Sequence, residues 1–243
     1  MKKRKLVRNT RKWHRYLGLL LGIQFFLWTI GGLYFSWTNI DEIRGDNLKK
    51  EKTPITIPKG IIAPYSQLYN HIPNHTPVLD VRLKKVLDTL YYEVTYTQGH
   101  QKQYLLFNAI TGKKAKKMSE NKAALIAKEK LSIASEITNI ERITTTNKHH
   151  EYRGRPLPAY AIRFDKPANT TIYVSEPRFQ VETFRNNQWR IFDFLWMLHT
   201  MDYQERDNMN NWVLRIFSIF GLFTIMSGFL LYILTSKTLN KKK

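Results

Sequence analysis

Leu17 to Phe35 reads LGLLLGIQFFLWTIGGLYF, nineteen consecutive residues without a charged side chain. As a helix this stretch is about 28 Å long at ~1.5 Å per residue, close to the ~30 Å hydrocarbon core of a bilayer. Aromatic residues flank both of its ends, as they flank membrane spans: Trp13, Tyr16, Tyr34 and Trp37. The stretch therefore predicts a transmembrane helix at residues 17–37. Because the run is longer than the ~7–15 apolar residues of a signal peptide, we expect an uncleaved signal anchor.

A second apolar run predicts a second span near the C-terminus. Residues 212–234 read WVLRIFSIFGLFTIMSGFLLYIL, and their one charged residue, Arg215, lies near an end, from which its side chain can reach the headgroups. Basic tails flank the pair: residues 1–16 carry eight Lys and Arg without an acidic residue, and residues 235–243 carry four Lys. Because positively charged flanks stay in the cytoplasm, we expect both termini there and residues 38–189 on the extracytoplasmic side of the cell (inner) membrane.

The distribution of charge along the chain distinguishes a membrane lipid partner from a nucleic-acid partner. The chain has 243 residues, a net charge of +20 and no Cys. More than half of the basic excess lies beside the two spans, whereas a nucleic-acid binder concentrates it on a folded face, so we expect membrane lipid and no nucleic acid. The lack of Cys excludes a disulfide framework, a thiolate metal site, a Cys nucleophile and covalently attached haem.

Small residues recur on one face of each span. On the first span, positions three or four residues apart form a stripe that is mostly small or polar: His14, Gly18, Gly22, Phe25, Thr29, Gly32 and Ser36. A comparable stripe on the second span consists of Ser218, Gly221, Ile225 and Gly228. Because small residues let helix backbones approach closely, we expect these two faces to pack against each other or against a second copy.

Between the spans the sequence predicts alternating helix and strand patterns. Strands are predicted at residues 78–87, 90–97, 103–110, 140–145, 159–164, 170–174 and 179–184. Helices are predicted at residues 59–70 and at Ser119–Leu131, where Ser119 is the expected N-cap. The order helix, strand, strand, strand thus appears twice, a weak internal repeat in which Phe107 matches Tyr173. We predict an α+β extracytoplasmic domain made of two units, each a helix plus antiparallel strands.

Two histidines lie beside the predicted spans. His14 is on the small-residue face, at the cytoplasmic end of the first span, and His199 lies in IFDFLWMLHTM. That apolar segment is too short to span, so residues 190–211 are predicted to lie in the outer interface as an amphipathic helix. Ligand-capable groups beside a bilayer are candidate functional residues, with headgroup anchoring as the alternative. Since the 22 residues from His14 to Ser36 extend about 33 Å as a helix, we expect the two histidines on opposite membrane faces.

No familiar catalytic motif is present. The sequence has no H-E-x-x-H, no phosphate-binding loop and no G-x-S-x-G. Four further histidines are expected to be ordinary surface residues in loops: His71, His75, His149 and His150. No catalytic residue and no metal site is therefore assigned.

Three segments resemble the PepSY-associated transmembrane family. They are RKWHRYLGLLLG at the first span, the YYEV…YLLFNAITGKK hairpin that precedes a helix, and LWMLHTM ahead of the second span. The resemblance covers nearly the whole chain. Family members include iron-regulated membrane proteins, some of which reduce siderophore-bound ferric iron with haem held by membrane histidines; larger relatives have four spans. The resemblance implies iron uptake, electron transfer across the membrane, and haem b bound non-covalently at His14 and His199.

The resemblance leaves other functions open. A non-enzymatic, membrane-anchored PepSY module that binds or restrains a peptide or protease is one alternative, and a transporter accessory protein is another. Whether the chain has its own enzymatic activity stays open, as do its substrate and electron donor. If His14 and His199 lie on opposite faces, they cannot share one haem within a chain. The second axial ligand would then come from a homo-oligomer or from another membrane redox or transport protein, or would be absent.

Overall fold

The computed structural model describes residues 2–51, 54–57, 68, 71–72, 76–206 and 208–236. The chain divides into two compact units, a membrane unit of Met1–Asn39 and Ile191–Lys243 and a sheet unit of Ile40–Arg190. Along the described chain the helices are α1 (Lys2–Trp37), α2 (Ile40–Arg44), α3 (Glu120–Lys130), α4 (Asn187–Thr200) and α5 (Trp212–Thr235), with a 3₁₀ turn at Asp46–Leu48. The strands are β1 (Val78–Val86), β2 (Thr89–Gln98), β3 (Gln101–Asn108), β4 (Ile137–Ile143), β5 (Ala159–Phe164), β6 (Thr171–Ser175) and β7 (Gln180–Arg185).

Helices α1 and α5 are both long and apolar enough to cross a membrane. They pack antiparallel, because His14 near the start of α1 contacts Ser227 near the end of α5, while Trp28 contacts Phe217. An antiparallel pair places both chain ends at the same end of the membrane unit. Helix α1 begins at Lys2, so the basic residues before the first span continue the same helix.

The packed face of α1 follows a heptad pattern. Buried or half-buried positions recur at alternating spacings of three and four residues: His14, Leu17, Leu21, Gln24, Trp28, Gly31 and Phe35. On α5 the half-buried positions Leu214, Phe217, Gly221, Thr224, Gly228 and Leu231 have the same spacing. A mean period of ~3.5 residues keeps one seam facing the partner helix along its whole length.

The sheet unit contains two antiparallel sheets, in the strand orders β1-β2-β3 and β4-β5-β6-β7. One face of the second sheet is apolar, because its four strands align Ile140, Ile162, Ile172 and Phe184 in one row. These side chains share a core with Ile126 and Ala127 of α3. The next row along the strands is Glu141, Ala161, Tyr173 and Thr183. Since successive strand residues point to opposite faces, this second row lies on the face away from α3.

A buried carboxylate links the two sheets. Glu93 on β2 is 0% exposed and pairs with Lys84, with Arg82 at 2.7 Å and with Arg178 at 3.1 Å. Arg178 lies in the turn between β6 and β7, and its carbonyl oxygen accepts a hydrogen bond from Lys84 Nζ. Burial alone would raise the pKa of Glu93, but its attraction to Lys84 and the hydrogen bonds from Lys84 and Arg178 hold that pKa below its ordinary value.

The α+β class and the two long apolar helices agree with the sequence. Strand β5 has its predicted bounds, and the Ser119 hydroxyl accepts a hydrogen bond from Lys122 N at 3.3 Å as the N-cap of α3. Strand β4 begins at Ile137, three residues before its predicted start. The proposed repeat matches β3 with β6, because it aligns Phe107 with Tyr173. Among the described strands, β3 is an edge strand that pairs with β2, whereas β6 is a central strand between β5 and β7. The helix predicted at residues 59–70 lies outside the described residues except for Leu68.

Candidate functional site in the membrane unit

His14 is fixed by the facing helix. Its Nδ1 lies 2.8 Å from Ser227 Oγ and 3.2 Å from the carbonyl oxygen of Thr224. The Ser227 hydroxyl donates its one proton to the same Thr224 oxygen at 2.7 Å, so the bond between Ser227 and His14 needs a proton on Nδ1. This network assigns the Nδ1–H tautomer and leaves the imidazole lone pair on Nε2.

Gly228 makes the room for the His14 ring. A Cβ at this position would lie 3.2 Å from His14 Cε1 and 3.8 Å from Nδ1. A side chain there would therefore push the ring away from Ser227. Of the glycines in the predicted packing stripes, Gly228 is the one whose Cβ would meet another helix within 4 Å.

The other glycines of the two stripes have open space at the Cβ position. A Cβ at Gly18, Gly22, Gly32 or Gly221 would have no heavy atom within 4 Å. Gly22 and Ser218 are exposed, and the Ser218 hydroxyl bonds within its own helix to the Leu214 carbonyl oxygen at 2.8 Å. On α1 the packed face is the adjacent one, which contains Leu21 and Gln24. The prediction that these small residues contact a second copy stays a prediction.

His199 lies in an aromatic cluster between α1 and α4. Its ring stacks on Trp196 with a centroid distance of 5.9 Å, and it contacts Trp28 at 5.6 Å and Phe35 at 5.8 Å. Two polar atoms of this cluster, His199 Nδ1 and Trp28 Nε1, are buried and have no hydrogen-bond partner among the described residues. Buried polar groups are usually paired, so the cluster has unused hydrogen-bonding capacity.

Helix α4 packs lengthwise against α1. Phe192, in the first half of α4, contacts Phe35 at a centroid distance of 5.0 Å. Near the C-terminal end of α4, the Leu198 carbonyl oxygen accepts a hydrogen bond from Gln24 Nε2 at 2.7 Å. This bond satisfies one of the carbonyl groups that a helix leaves unpaired at its C-terminus. Gln24 lies near the middle of the apolar stretch 17–35, so the end of α4 contacts the span itself.

A polar loop connects α4 to α5. Arg206 pairs with the buried Asp193 of α4, and Asn211 donates to the Thr200 carbonyl oxygen at 3.0 Å. The carboxylate of Asp202 accepts from three backbone N–H groups of the loop, those of Gln204, Glu205 and Asn208. Asn211 also caps α5 by accepting from Leu214 N at 2.8 Å. The loop therefore sets where α5 starts relative to α4.

The two histidines are held at different levels of α1. From His14 to Trp28, which contacts His199, are fourteen residues, or about 21 Å along a helix. One metal atom cannot bind both rings across that separation. Among the described residues no group of three or more His, Cys, Asp or Glu is close enough to hold a metal ion.

Sequence reasoning singled out His14 and His199 but missed their partners. Ser227 and Thr224 lie more than 200 positions from His14, and only the pairing of the helices brings them together. Gln24 had a local signal, because it is the one amide side chain in the apolar run 17–35. Of the remaining predicted surface histidines, His149 is exposed and His150 Nδ1 accepts from Tyr152 N, while His75 lies outside the described residues.

Two helices of membrane-spanning length, with an α+β unit in the chain between them, define a membrane protein with a folded domain between its two spans. The family described as the PepSY-associated TM region matches residues 1–234, and the chain belongs to that family. The resemblance of the three quoted segments is thereby confirmed. Neither a curated protein nor a solved structure matches this chain.

Proposed function

We propose that this protein is a subunit for electron transfer across the cell (inner) membrane, linked to the reduction of siderophore-bound ferric iron. In this proposal b-type haem binds at His14 and at His199. The observation that supports it best is the network at His14, where Ser227 and Thr224 occupy Nδ1 and leave Nε2 as the free ligand atom. Histidines that bind metals generally have the other ring nitrogen hydrogen-bonded in this way.

The donor set fits haem b. In a chain without Cys, imidazole is the strong axial ligand and the haem is held without a covalent link. A bound haem supplies one-electron transfer through its iron. His14 would bind the iron through Nε2, Ser227 would fix the tautomer, and Gly228 would keep space beside the ring. The network at Nδ1 would also keep the ring in one orientation during turnover.

His199 fits the same role less completely. Its ring is oriented by stacking on Trp196, but its Nδ1 has no partner among the described residues that would fix a tautomer. We therefore expect His14 to bind haem more tightly than His199. Because the two rings lie about 21 Å apart along α1, each histidine would hold a haem of its own, with another copy or another membrane redox or transport protein as the partner.

Both chain termini would lie in the cytoplasm. Antiparallel α1 and α5 support both termini on one side, and the basic tail of α1 favours the cytoplasm for that side. His14 would then lie near the cytoplasmic face and His199 nearer the outer face. Haem held at these two residues would supply a one-electron carrier near each face, with ferric iron outside as the acceptor.

Haem binding is tested by absorbance of the full chain. Protein purified in mild detergent from haem-replete cells should show a Soret band and visible bands that change with dithionite. His14→Ala should lose the larger part of this absorbance and His199→Ala a smaller part. His100→Ala, an exposed histidine of the sheet unit, is the matched control and should lose none.

Two outcomes would overturn this function. One is no haem absorbance from haem-replete cells with partner proteins co-expressed, and the other is unchanged absorbance in a folded His14→Ala, His199→Ala double variant. Either would leave the membrane-anchored binding module or transporter accessory protein as the function. Loss at one position only would locate one haem and exclude a two-step path through this chain.

A further inference from the structure

An open cleft of about 670 Å³ lies on the second sheet of the sheet unit. Its floor is formed by Ala161, Thr171 and Tyr173, which lie on the face away from α3. One wall is formed by residues of the loop that follows β4: Asn147, His149, His150 and Glu151. The volume is in the range of ~300–1,000 Å³ that is usual for sites that bind small molecules.

One end of this cleft is already neutralised. Arg190 contacts both carboxylate oxygens of Glu151, at 2.6 and 3.2 Å, and Tyr173 donates to the same carboxylate at 3.2 Å. Arg190 also donates to the Asn169 carbonyl oxygen and to Asn187 Oδ1. These groups form a fixed polar wall whose charges are satisfied within the protein.

The other end has two opposite charges that do not pair. Glu141 and Arg163 are both exposed, and neither forms an ion pair within 4.0 Å with any residue that the structure describes. Glu141 lies opposite Ala161, two residues before Arg163 on the same strand face, so the two are diagonal neighbours. Diagonal neighbours in an antiparallel sheet are about 7–8 Å apart at Cα. A gap with an anion on one side and a cation on the other therefore opens into the cleft.

Two amide side chains line the same cleft. Asn139 is directly opposite Arg163 in the β4–β5 register, and Asn147 lies in the loop that follows β4. Asn147 Oδ1 accepts from His149 N at 3.0 Å, which leaves the amide NH₂ of Asn147 able to donate into the cleft. With the Arg163 guanidinium, these groups offer several N–H donors to a carboxylate.

We propose that this cleft binds a zwitterionic ligand that carries an ammonium and a carboxylate, as α-amino acids and the ends of short peptides do. The carboxylate accepts a bidentate pair of hydrogen bonds from Arg163 and a further bond from the amide of Asn139. The ammonium donates to the carboxylate of Glu141. A simple anion would be repelled by Glu141 and a simple cation by Arg163, whereas the zwitterion satisfies both charges.

The test uses saturation-transfer NMR on the full chain in lipid nanodiscs, with L-alanine and L-alanyl-L-alanine as probes and empty nanodiscs as background. N-acetyl-L-alanine, which lacks the ammonium, and L-alaninamide, which lacks the carboxylate, complete the set. Both zwitterions should bind more tightly than the two blocked compounds. The tighter of the two zwitterions identifies a free amino acid or a peptide as the source of the ligand.

Two variants test the contact to the ligand carboxylate and the contact to the ligand ammonium separately. Arg163→Gln should weaken zwitterion binding about tenfold or more, since hydrogen bonds to charged groups contribute about 1.5–3 kcal/mol and ~1.4 kcal/mol is tenfold. It should not weaken L-alaninamide, whose ammonium Arg163 repels. Glu141→Gln should weaken the zwitterions and L-alaninamide, and it should not weaken N-acetyl-L-alanine, whose carboxylate Glu141 repels. The exposed Lys102→Gln and Glu120→Gln are charge-matched controls outside the cleft.

Three results would overturn the proposal. They are no saturation transfer to either zwitterion, equal transfer to the zwitterions and the blocked compounds, or unchanged binding in both cleft variants. Circular dichroism of each variant shows whether the sheet unit is folded, and these exposed positions make unfolding an unexpected result. The outcome is independent of haem absorbance, so this proposal and the electron-transfer function can fail separately.

Discussion

Glu93 in the sheet unit and His199 in the membrane unit are two polar groups in apolar surroundings, and their partners differ. The carboxylate of Glu93 contacts three cations that come from both sheets. The Nδ1 of His199 is buried against aromatic rings and has no partner among the described residues. A buried charge that is fully paired holds elements together, whereas a buried imidazole with an unused nitrogen is available to a ligand. The comparison separates a structural polar group from a candidate functional one.

The largest expected effect is in membrane topology, because the C-terminal tail and the sheet unit are predicted to lie on opposite sides of the membrane. Reporter fusions at Lys243 and near Gly99 should give opposite results, with the first in the cytoplasm and the second outside. The physical reason is the basic flanks of both spans, which resist translocation. A cytoplasmic signal from the fusion near Gly99 would reverse every assignment of side, including those of His14 and His199.

The next effect is on the stability of the sheet unit. Glu93→Gln leaves Lys84 without its buried counter-charge and leaves Arg178 with Glu182 as its remaining one, so it should destabilise that unit by about 3–5 kcal/mol. Thermal unfolding of the full chain, followed by circular dichroism in the β-sheet region, measures this. The exposed Glu141→Gln is the control and should change the unfolding temperature little. Equal melting of Glu93→Gln and the parent chain would contradict a structural role for the network.

The same variant should change the pH dependence of stability. Because the folded pKa of Glu93 lies below its ordinary value of 4.5, its stabilisation is present above pH 4.5 and is lost as pH falls through the folded pKa. Burial raises the pKa of Glu182, which works in the opposite direction. The Glu93 charge also raises the pKa of Glu182, so the stability difference between the parent chain and Glu93→Gln reports Glu93 together with this coupling. That difference should shrink as pH falls below 4.5.

A smaller effect distinguishes two glycines of the membrane unit. Gly228→Leu should displace the His14 ring and cost about 1–3 kcal/mol of helix packing, because its Cβ would lie 3.2 Å from His14 Cε1. Gly22→Leu should leave the α1–α5 contact intact, since no heavy atom lies within 4 Å of its Cβ. Thermal stability in detergent measures the first. Self-association in detergent, by sedimentation, measures whether Gly22 contacts a second copy.

The smallest effect is expected at Gln24. Gln24→Leu preserves volume and removes one hydrogen bond to the Leu198 carbonyl oxygen, so it should cost about 1 kcal/mol. Hydrogen exchange at the C-terminal turn of α4 should become faster while α1 is unchanged. Unchanged exchange in this turn would mean that the aromatic contacts alone fix α4.

The elements of this protein could be predicted where the signal is local. Strand β5 and the Ser119 cap depend on alternation and on one hydroxyl, and both are as predicted. The packed face of α1 depends on which partner the helix meets. Counted from His14, a spacing of four residues gives Gly18 and Gly22 of the predicted stripe. Spacings of three and then four residues give Leu17 and Leu21 of the packed face. Both sets of positions satisfy helical geometry, so the sequence alone does not decide which set faces the partner helix.

The site could be predicted only in part, for a related reason. His14 and His199 are visible in the sequence because ligand-capable side chains are uncommon beside apolar runs. The bond from His14 to Ser227 depends on the relative rotation and register of two helices separated by the whole sheet unit. The pairing of Glu93 with Arg178 similarly requires the docking of two sheets. Contacts of this kind are set by tertiary structure and have no sequence spacing to detect.

The length of α1 has an electrostatic consequence. The helix continues without a break from Lys2 into the apolar stretch, so an upright α1 carries Lys2 about 22 Å from Leu17. The Debye length at physiological ionic strength is about 8 Å, so the first turn lies almost three screening lengths from the start of the hydrocarbon. The cations nearest the span, such as Arg11 and Arg15, then provide most of the attraction to anionic headgroups. The four basic residues at the tip contribute little to that attraction, because they lie in the aqueous phase beyond the reach of the headgroup charge.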